Sequence, residues 1–299
     1  GCPVCVTGRK YIDQAIAYSR IKDTIITTFG DLIRVPGSTS SLNLEKSKGA
    51  DIRIVYSILD ALKIARENPS KKVIFLGIGF EATASSSAAG VFNAKKEKLA
   101  NFFLFSSHKI MPPAMSALID EGVKINGYIA PGHVSAVTGS HIYDKFPEKY
   151  HVGCVISGFE PVDILQSVYM LVKQFNEEHY RVEIQYKRVV NHDGNLKARG
   201  YMEQVFTLRD DWWRGLGVLK GSGLGLSEDY ADYDAEKMIT VTVEKTLEEK
   251  GCICGEILKG LKKPNDCKLF AKACTPSNPV GSCMVSHEGA CAAYYNFGR

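Results

Sequence analysis

Residues 73–83, VIFLGIGFEAT, decide the fold class, because they join an apolar strand to a helix through a Gly-Phe-Glu triplet. A run of consecutive apolar residues is typical of a strand in a parallel sheet, which is covered on both faces. Residues 154–163, CVISGFEPVD, repeat this arrangement. The repeat favours two related α/β halves that face one cleft over a chance similarity between two short loops.

Strands and helices alternate on both sides of these two stretches, from residue 9 to residue 175. Apolar strands are predicted at 24–29, 52–56, 72–76, 102–105, 127–129 and 152–156, and helices at 9–20, 59–67, 85–99, 113–121 and 162–175. Alternation at this spacing predicts an α/β fold with mainly parallel sheets. Functional groups are then expected in loops at the carboxyl ends of the strands.

Six cysteines cluster between residues 252 and 291, and four converging thiolates can hold an iron–sulfur cluster. The predicted organisation therefore has two parallel-sheet α/β halves around a cleft and a small C-terminal iron–sulfur domain. The first α/β domain comprises residues 1–70 and 151–240, the second comprises residues 71–150, and the iron–sulfur domain comprises residues 241–299. Residues 191–230 are rich in Gly, Asn and Asp, so an irregular segment is expected there, with a polar surface turn at 209–211. His108 and Lys109 follow a predicted strand and are expected in a solvated loop.

The composition argues against several classes of protein. The 299 residues are 45% hydrophobic and 23% charged, which is ordinary for a globular protein and argues against disorder. A net charge of +4 without a run of Lys or Arg argues against nucleic-acid binding. There is no stretch of about 18 apolar residues that would predict a membrane span.

No signal peptide is visible, and the cysteines are clustered, so a cytoplasmic protein with metal or redox chemistry is expected. Cys2 follows Gly1 directly, so the sequence starts within a cysteine motif. We therefore expect that the natural protein has residues before Gly1.

Six of the nine cysteines lie within residues 252–291. Four of them follow the spacing C-x14-C-x6-C-x16-C, namely Cys252, Cys267, Cys274 and Cys291. Four thiolates that converge from Gly-rich and Pro-rich loops can hold a cubane iron–sulfur cluster, and Cys254 could take the place of Cys252. A zinc site and disulfides are alternatives, although the tail lacks the paired C-x-x-C knuckles that structural zinc sites commonly use.

Cys2 and Cys5 form a C-x-x-C motif at the start of the sequence. Two thiols at this spacing can close a disulfide and exchange it with other thiols. Half of a metal site and a pair of inert buried cysteines are the alternatives.

Loops that follow predicted strands contribute further polar candidates, namely Glu81, His133, Glu160 and Asp163. A histidine in such a loop can act as an acid, a base or a hydrogen-bond donor, and a structural role fits it equally well. The same two interpretations apply to Glu160 and Asp163.

Several motifs together resemble the HypD family of hydrogenase maturation factors. They are GCPVCVT at 1–7, GFEAT at 79–83, PGHVS at 131–135, SGFEP at 157–161, ACTP at 273–276 and CMVSHEGACAAYY at 283–295. The motifs span nearly the whole chain and occur in the order that the family has.

The resemblance implies a scaffold on which the Fe(CN)2CO unit of [NiFe] hydrogenases is assembled. Such a scaffold works with the small chaperone HypC, receives cyanide from HypE, and holds Fe(II) with its CN and CO ligands transiently. The family pattern implies one [4Fe-4S] cluster on Cys252, Cys267, Cys274 and Cys291. It also implies a thiol or electron relay between the tail and the C-x-x-C motif, similar to that of ferredoxin–thioredoxin reductase.

On this basis we expect Cys2 and Cys5 to lie at the cleft near the cluster domain. Glu81, His133, Glu160 and Asp163 are expected to line the same cleft, where they would hydrogen-bond cyanide nitrogen or move protons.

Two departures from the family pattern are visible. The family has an upstream Cys-Gly-Thr-His segment that helps to hold iron, and this sequence starts after that position. The first Gly-Phe-Glu motif usually continues Thr-Thr-Ala-Pro, whereas here it continues Ala82-Thr83-Ala84-Ser85.

Two other functions stay open at this point. One is a cluster-dependent disulfide reductase that acts on a protein thiol. The other is an α/β protein whose tail is held by structural zinc.

Overall fold

The strands of the computed structural model, which describes residues 2–247 and 250–298, form two parallel sheets and one antiparallel hairpin. The strands are β1 (Thr24–Thr28), β2 (Asp51–Ile54), β3 (Lys72–Gly79), β4 (Phe102–His108), β5 (Gly127–Pro131), β6 (Gly153–Ser157), β7 (Val182–Ile184), β8 (Phe206–Trp213) and β9 (Gly217–Leu226). The first sheet has the order β2-β1-β3-β4 and the second has the order β5-β6-β7, while β8 and β9 pair with each other. The predicted α/β fold with parallel sheets is confirmed.

Helices connect and flank these strands. They are α1 (Pro3–Val6), α2 (Arg9–Ser19), α3 (Leu42–Ser47), α4 (Ile58–Glu67), α5 (Glu81–Lys96), α6 (Met111–Asp120), α7 (Gly132–Thr138), α8 (Lys145–Tyr150), α9 (Pro161–Asn176), α10 (Leu196–Val205), α11 (Ala235–Met238), α12 (Cys254–Leu258) and α13 (Ala290–Phe297). Within the described ranges, no helix has the length and apolar character needed to cross a membrane.

Local sequence explains where the helices begin. Ser57 and Asp60 cap the start of α4 reciprocally, and Pro161 stands in the first turn of α9, where a missing N–H costs nothing.

The first sheet is covered on both faces, as its apolar strands predict. Successive side chains of a strand point to opposite faces, so Val73 and Phe75 of β3 enter one core while Ile74 and Leu76 enter the other. Helices α4 and α5 and the β8–β9 hairpin cover the first of these faces. Helices α1 and α2 and the cysteine-rich tail cover the second face. The tail is therefore part of the main core.

The order of the first sheet places a topological switch point at the carboxyl ends of β1 and β3. β1 pairs with β2 on one side and with β3 on the other. The connection after β1 leads to β2, and the connection after β3 leads in the opposite direction to β4. Ligand sites of parallel α/β sheets are found at such switch points. Helix α1, which contains Cys5, packs against β3.

The sheets do not follow the predicted domain boundaries. β3 and β4 lie within the predicted second domain, yet they share a sheet with β1 and β2 of the predicted first domain. β5 pairs with β6 across the boundary predicted at residue 150. The sheets therefore divide the chain between β4 and β5, because pairing between distant strands is set by tertiary contacts rather than by the local repeat.

Three local expectations are wrong. Residues 191–230 contain α10 and the β8–β9 hairpin rather than an irregular segment, and residues 209–211 belong to β8 rather than to a surface turn. His108 and Lys109 are buried rather than solvated. The His108 ring nitrogens lie 3.0 Å from the Ser87 hydroxyl and 3.1 Å from the Ser106 hydroxyl, and burial lowers the pKa of this histidine to about 3.

Candidate thiol and metal centre

Cys2 and Cys5 form a disulfide at the two ends of the first turn of α1. Cys2 is the residue before the helix, and its sulfur accepts a hydrogen bond of 3.2 Å from the backbone N–H of Cys5. Pro3 fixes the backbone at the first helical position. Both cysteines are buried, so the disulfide is shielded from bulk solvent.

The tail cysteines surround a small cavity. All four members of the predicted set line it, namely Cys252, Cys267, Cys274 and Cys291, and Cys254 lines it as well. Most other lining side chains are apolar, namely Ile257, Leu269, Phe270 and Met284. Gly281 completes the wall, since a Cβ there would lie 2.6 Å from the sulfur of Cys254 and 2.7 Å from that of Cys252.

Cys254 lies at the centre of the tail thiols. The Cys252 and Cys254 sulfurs are 3.2 Å apart. Hydrogen bonds from the thiols of Cys252, Cys283 and Cys291 hold the pKa of the Cys254 thiol well below its usual value. The hydrogen bond to Cys254, together with burial, raises the pKa of Cys283. Cys254 is thus the thiol to which the neighbouring thiols donate.

The donor set fits a cubane iron–sulfur cluster. Such a cluster takes thiolates from several directions around a cavity, and the tail offers them with an apolar lining that keeps water away. A zinc ion requires ligands that meet at one point. Among the residues that the structure describes, no group of three or more His, Cys, Asp or Glu side chains is arranged to hold a metal ion.

The segment that carries the disulfide is in contact with the cysteine-rich tail. The Ser282 hydroxyl donates a hydrogen bond of 3.3 Å to the backbone carbonyl of Cys5, although the two residues are 277 positions apart in sequence. Helix α1 packs against the 3₁₀ turn Ser282–Met284. Cys2 and Cys5 also share one buried core with Cys254 and Cys283. The segment that carries Cys2 and Cys5 therefore packs against the segment that carries Cys283.

Glu81 lies at the start of α5, directly after the carboxyl end of β3. It is buried, and its Oε1 accepts a hydrogen bond of 2.9 Å from the backbone N–H of Met111, the first residue of α6. Within the described part of the chain, Oε2 has no hydrogen-bond partner. Burial raises the pKa of this carboxyl to about 7, so it titrates near neutral pH.

His133, Glu160 and Asp163 belong to the second sheet, where β5 and β6 end. His133 and Glu160 are exposed, and the His133 ring stacks on Phe159 with 4.1 Å between the ring centroids. Asp163 accepts hydrogen bonds from both terminal nitrogens of Arg188, and this partner holds the pKa of Asp163 well below its usual range. The contact with Arg188 uses both oxygens of the Asp163 carboxylate, which holds the start of α9 in place.

An apolar cavity of about 170 Å³ lies between the two sheets, near the segment that carries the disulfide. It is lined by residues of the first sheet's connections, the second sheet, the hairpin and the tail, including Val6, Phe80, Pro131, Trp213 and Leu258. Val6 follows Cys5 directly, so the disulfide lies beside the space between the two α/β halves.

Comparison with known proteins identifies the family. Residues 1–298 match the HypD family model, which is described as "Hydrogenase formation hypA family". The chain belongs to the HypD family. Hydrogenase maturation factor HypD2 of Bradyrhizobium diazoefficiens is 46% identical over 308 residues, which cover 100% of this chain and 81% of that protein.

Other hydrogenase maturation factors named HypD are equally similar. The protein of Azotobacter vinelandii is 45% identical, and that of Cupriavidus necator is 44% identical. Each match covers 100% of this chain and 81% of the relative. The process in which this HypD-family chain takes part is therefore hydrogenase maturation.

The structure of this HypD-family chain also contains contacts at the Cys2–Cys5 segment that the sequence did not indicate. Arg214, in the turn between β8 and β9, donates hydrogen bonds to the backbone carbonyls of Cys5 and Thr7. Ser282 contacts Cys5 from the tail. Neither residue stands in a recognisable local pattern, because each acts on a segment that is distant in sequence. The adjacent pair Trp212 and Trp213 was the one available sign that this region is ordered.

Proposed function

We propose that this chain is the scaffold on which the Fe(CN)2CO group of [NiFe] hydrogenases is assembled, together with a HypC-like small chaperone and a HypE-like cyanide donor. Family membership supports the process, and one observation supports the role within it. The segment with the buried Cys2–Cys5 disulfide contacts a cysteine-rich tail, in which five of the six cysteines line a single cavity.

Iron is the cargo in this proposal, and Cys2 and Cys5 are the groups that hold it. Cyanide and CO favour low-spin Fe(II), and soft thiolates can bind such iron temporarily. A disulfide cannot serve as two thiolate ligands. Breaking the Cys2–Cys5 bond with two electrons gives two thiolates, so the redox state of this pair determines whether iron can be held.

Cys252, Cys267, Cys274 and Cys291 are the proposed ligands of a [4Fe-4S] cluster. When bound, such a cluster supplies electrons one at a time. Cys254 and Cys283 then stay available as thiols between the cluster ligands and Cys5. This assignment uses the position of Cys254 among the other tail sulfurs and the contact between Ser282 and Cys5.

The polar candidates have different roles in the proposal. Glu81 is the group suited to proton transfer, because its pKa is about 7. His133 and Glu160 are exposed beside the second sheet, where they would hydrogen-bond cyanide nitrogen. Asp163 positions the start of α9 through Arg188, which keeps Glu160 in place.

Anaerobic purification with the small chaperone tests the scaffold proposal. We expect about four iron and four sulfide per chain for the cluster, an additional iron on the complex, and infrared bands from iron-bound CN and CO. Zinc near one per chain without iron or sulfide would contradict the cluster assignment. A complex with iron but without these infrared bands, purified from cells that mature hydrogenase, would contradict the scaffold role.

A disulfide reductase similar to ferredoxin–thioredoxin reductase is the second candidate. It is favoured by the hydrogen bond between the Cys5 carbonyl and Ser282, the residue that precedes Cys283 in the tail. The candidate predicts catalytic turnover of a disulfide on a separate protein, driven by a one-electron donor. Robust turnover together with the absence of CN and CO bands would favour it over the scaffold.

A further inference from the structure

The turn between β8 and β9 holds the end of helix α1. Arg214 donates three hydrogen bonds to it, from its backbone N–H to Val6 (3.1 Å), from Nε to Cys5 (3.1 Å) and from Nη2 to Thr7 (3.0 Å). All three acceptors are backbone carbonyls at the carboxyl end of the helix, where carbonyls lack helical partners and a positive charge is favourable. Arg214 therefore fixes the backbone of Cys5.

The next residue of the same turn contacts the tail. Gly215 packs against Gly255, which follows Cys254 in α12. A Cβ on Gly215 would lie 2.7 Å from the Cα of Gly255, and the φ angle of Gly215 is +84°. The atoms that a Cβ on Gly215 would meet are backbone atoms, so neither segment could move aside without a large energetic cost. One short turn thus contacts both segments that carry the thiols.

We propose that the β8–β9 turn sets the spacing between the Cys2–Cys5 pair and the tail thiols, and that Arg214 is a positioning residue for thiol exchange between them. This inference rests on the proposed function, in which Cys254 and Cys283 are the thiols between the cluster ligands and the Cys2–Cys5 pair. It assigns a function to a segment that makes no contribution to the cysteine motifs themselves.

The exchange step is balanced without an outside oxidant or reductant. A thiolate of the Cys254 and Cys283 pair attacks one sulfur of the Cys2–Cys5 disulfide, a mixed disulfide forms, and the other sulfur leaves as a thiolate. The second tail thiolate then breaks the mixed disulfide. The net result moves the disulfide to the tail and two protons to Cys2 and Cys5. The attacking and leaving sulfurs must be in line, so the step depends on spacing.

Gly215→Ala and Gly217→Ala form a matched pair for the test. Both glycines have positive φ angles, +84° and +73°, so both substitutions carry a similar backbone cost. Only the Cβ on residue 215 meets another segment, because nothing lies within 4 Å of a Cβ on residue 217. A difference between the two variants therefore reports the contact with the tail.

The measurement uses the full chain without iron. The reduced protein receives one equivalent of diamide, thiols are alkylated at successive times, and peptide mapping gives the fraction of disulfide at Cys2–Cys5 and at Cys254–Cys283. We expect exchange at the wild-type rate for Gly217→Ala and at least tenfold slower exchange for Gly215→Ala. Equal rates for the two variants would overturn the inference. Absence of exchange in the wild type would instead count against the relay.

Substitutions at Arg214 separate positioning from folding. Arg214→Lys keeps the charge and one donor, whereas Arg214→Gln loses the charge. We expect exchange to slow about tenfold in Arg214→Gln and to recover partly in Arg214→Lys, while thermal unfolding places both variants at a similar midpoint. If the exchange rate falls only as far as the unfolding midpoint falls, and Arg214→Lys restores none of it, Arg214 has only a structural role.

Discussion

Glu81 shows how one buried side chain can combine a structural and a chemical role. Its Oε1 binds the start of α6, and its Oε2 has no partner among residues 2–247 and 250–298. The sequence predicted its place after a strand but not its burial, since burial depends on α6, which arrives later in the chain. The site formed by the cysteines was predictable for the opposite reason, because their spacing in the sequence indicates the kind of site.

Glu81→Gln should change how stability depends on pH. Burial raises the pKa of Glu81 from 4.5 to about 7, so the folded state binds this proton more tightly than the unfolded state does. The stability of the wild type therefore falls as the pH rises from about 4.5 to about 7, by about 3 kcal/mol in all. We expect Glu81→Gln to be more stable than wild type at pH 8.

Urea unfolding at several pH values measures this effect. The advantage of Glu81→Gln should shrink between pH 8 and pH 5, because the carboxyl becomes neutral in the folded wild type. A constant difference between the two proteins across this range would show that Glu81 is not the titrating group.

Gly281→Ala should impair metal loading. The new methyl group would meet the sulfurs of Cys252 and Cys254 at 2.6–2.7 Å, so the wall of the cavity has to shift. We expect the iron and sulfide content after anaerobic reconstitution to fall at least twofold. Gly200→Ala is the control, since nothing lies within 4 Å of its Cβ, and it should load as the wild type does. Equal loading of both variants would place the metal elsewhere.

At the scale of elements, the apolar strands and their flanking helices could be predicted because burial on both faces leaves a local pattern. The β8–β9 hairpin could not, since its strands alternate weakly and β9 contains several glycines. Long-range contacts stabilise it instead. Lys109, at the end of β4, donates hydrogen bonds to the Asp211 carboxylate (2.8 Å) and to the Trp212 carbonyl (2.9 Å), and its ammonium lies over the Trp213 ring.

Breaking the buried ion pair between Lys109 and Asp211 should destabilise the packing of the hairpin. Lys109 is 1% exposed, so Lys109→Met leaves the Asp211 charge without its partner and should cost about 3 kcal/mol of unfolding free energy. The double variant Lys109→Met/Asp211→Leu should recover part of this loss, because no unpaired charge is left. Urea midpoints at constant slope measure both effects.

The exposed pair of Arg66 and Glu97 provides the control. Its side chains are 44% and 41% exposed, so Arg66→Met should cost less than about 1 kcal/mol. A similar loss for Arg66→Met and Lys109→Met would contradict the role of burial at Lys109.

At the scale of the whole molecule, local repeats indicated two α/β halves but not which strands share a sheet. The two Gly-Phe-Glu triplets do stand at equivalent strand–helix junctions, after β3 and after β6. Their surroundings differ, because Glu81 is buried and Glu160 is exposed. Sequence similarity between the loops therefore revealed a common strand–helix connection and not common chemistry.

Loss of the C-x-x-C pair should abolish maturation. Cys2→Ala and Cys5→Ala each remove one of the two sulfurs that are proposed to hold iron, so cells that rely on either variant should contain no active [NiFe] hydrogenase. Hydrogenase activity in cells that lack their own HypD measures this. Cys154→Ala is the control, because Cys154 is buried in the second sheet and should leave maturation intact. Normal maturation with Cys5→Ala would refute the relay.

The shared core of Cys5 and the tail has a consequence for biosynthesis. Cys5 leaves the ribosome long before Ser282, and parallel pairing of distant strands is slow to form. During translation, the C-x-x-C pair therefore lacks the surface that buries it in the finished protein. If Cys2 and Cys5 hold iron as proposed, a nascent chain acquires that site only after its cysteine-rich tail has been synthesised, so synthesis of the tail times the onset of iron binding.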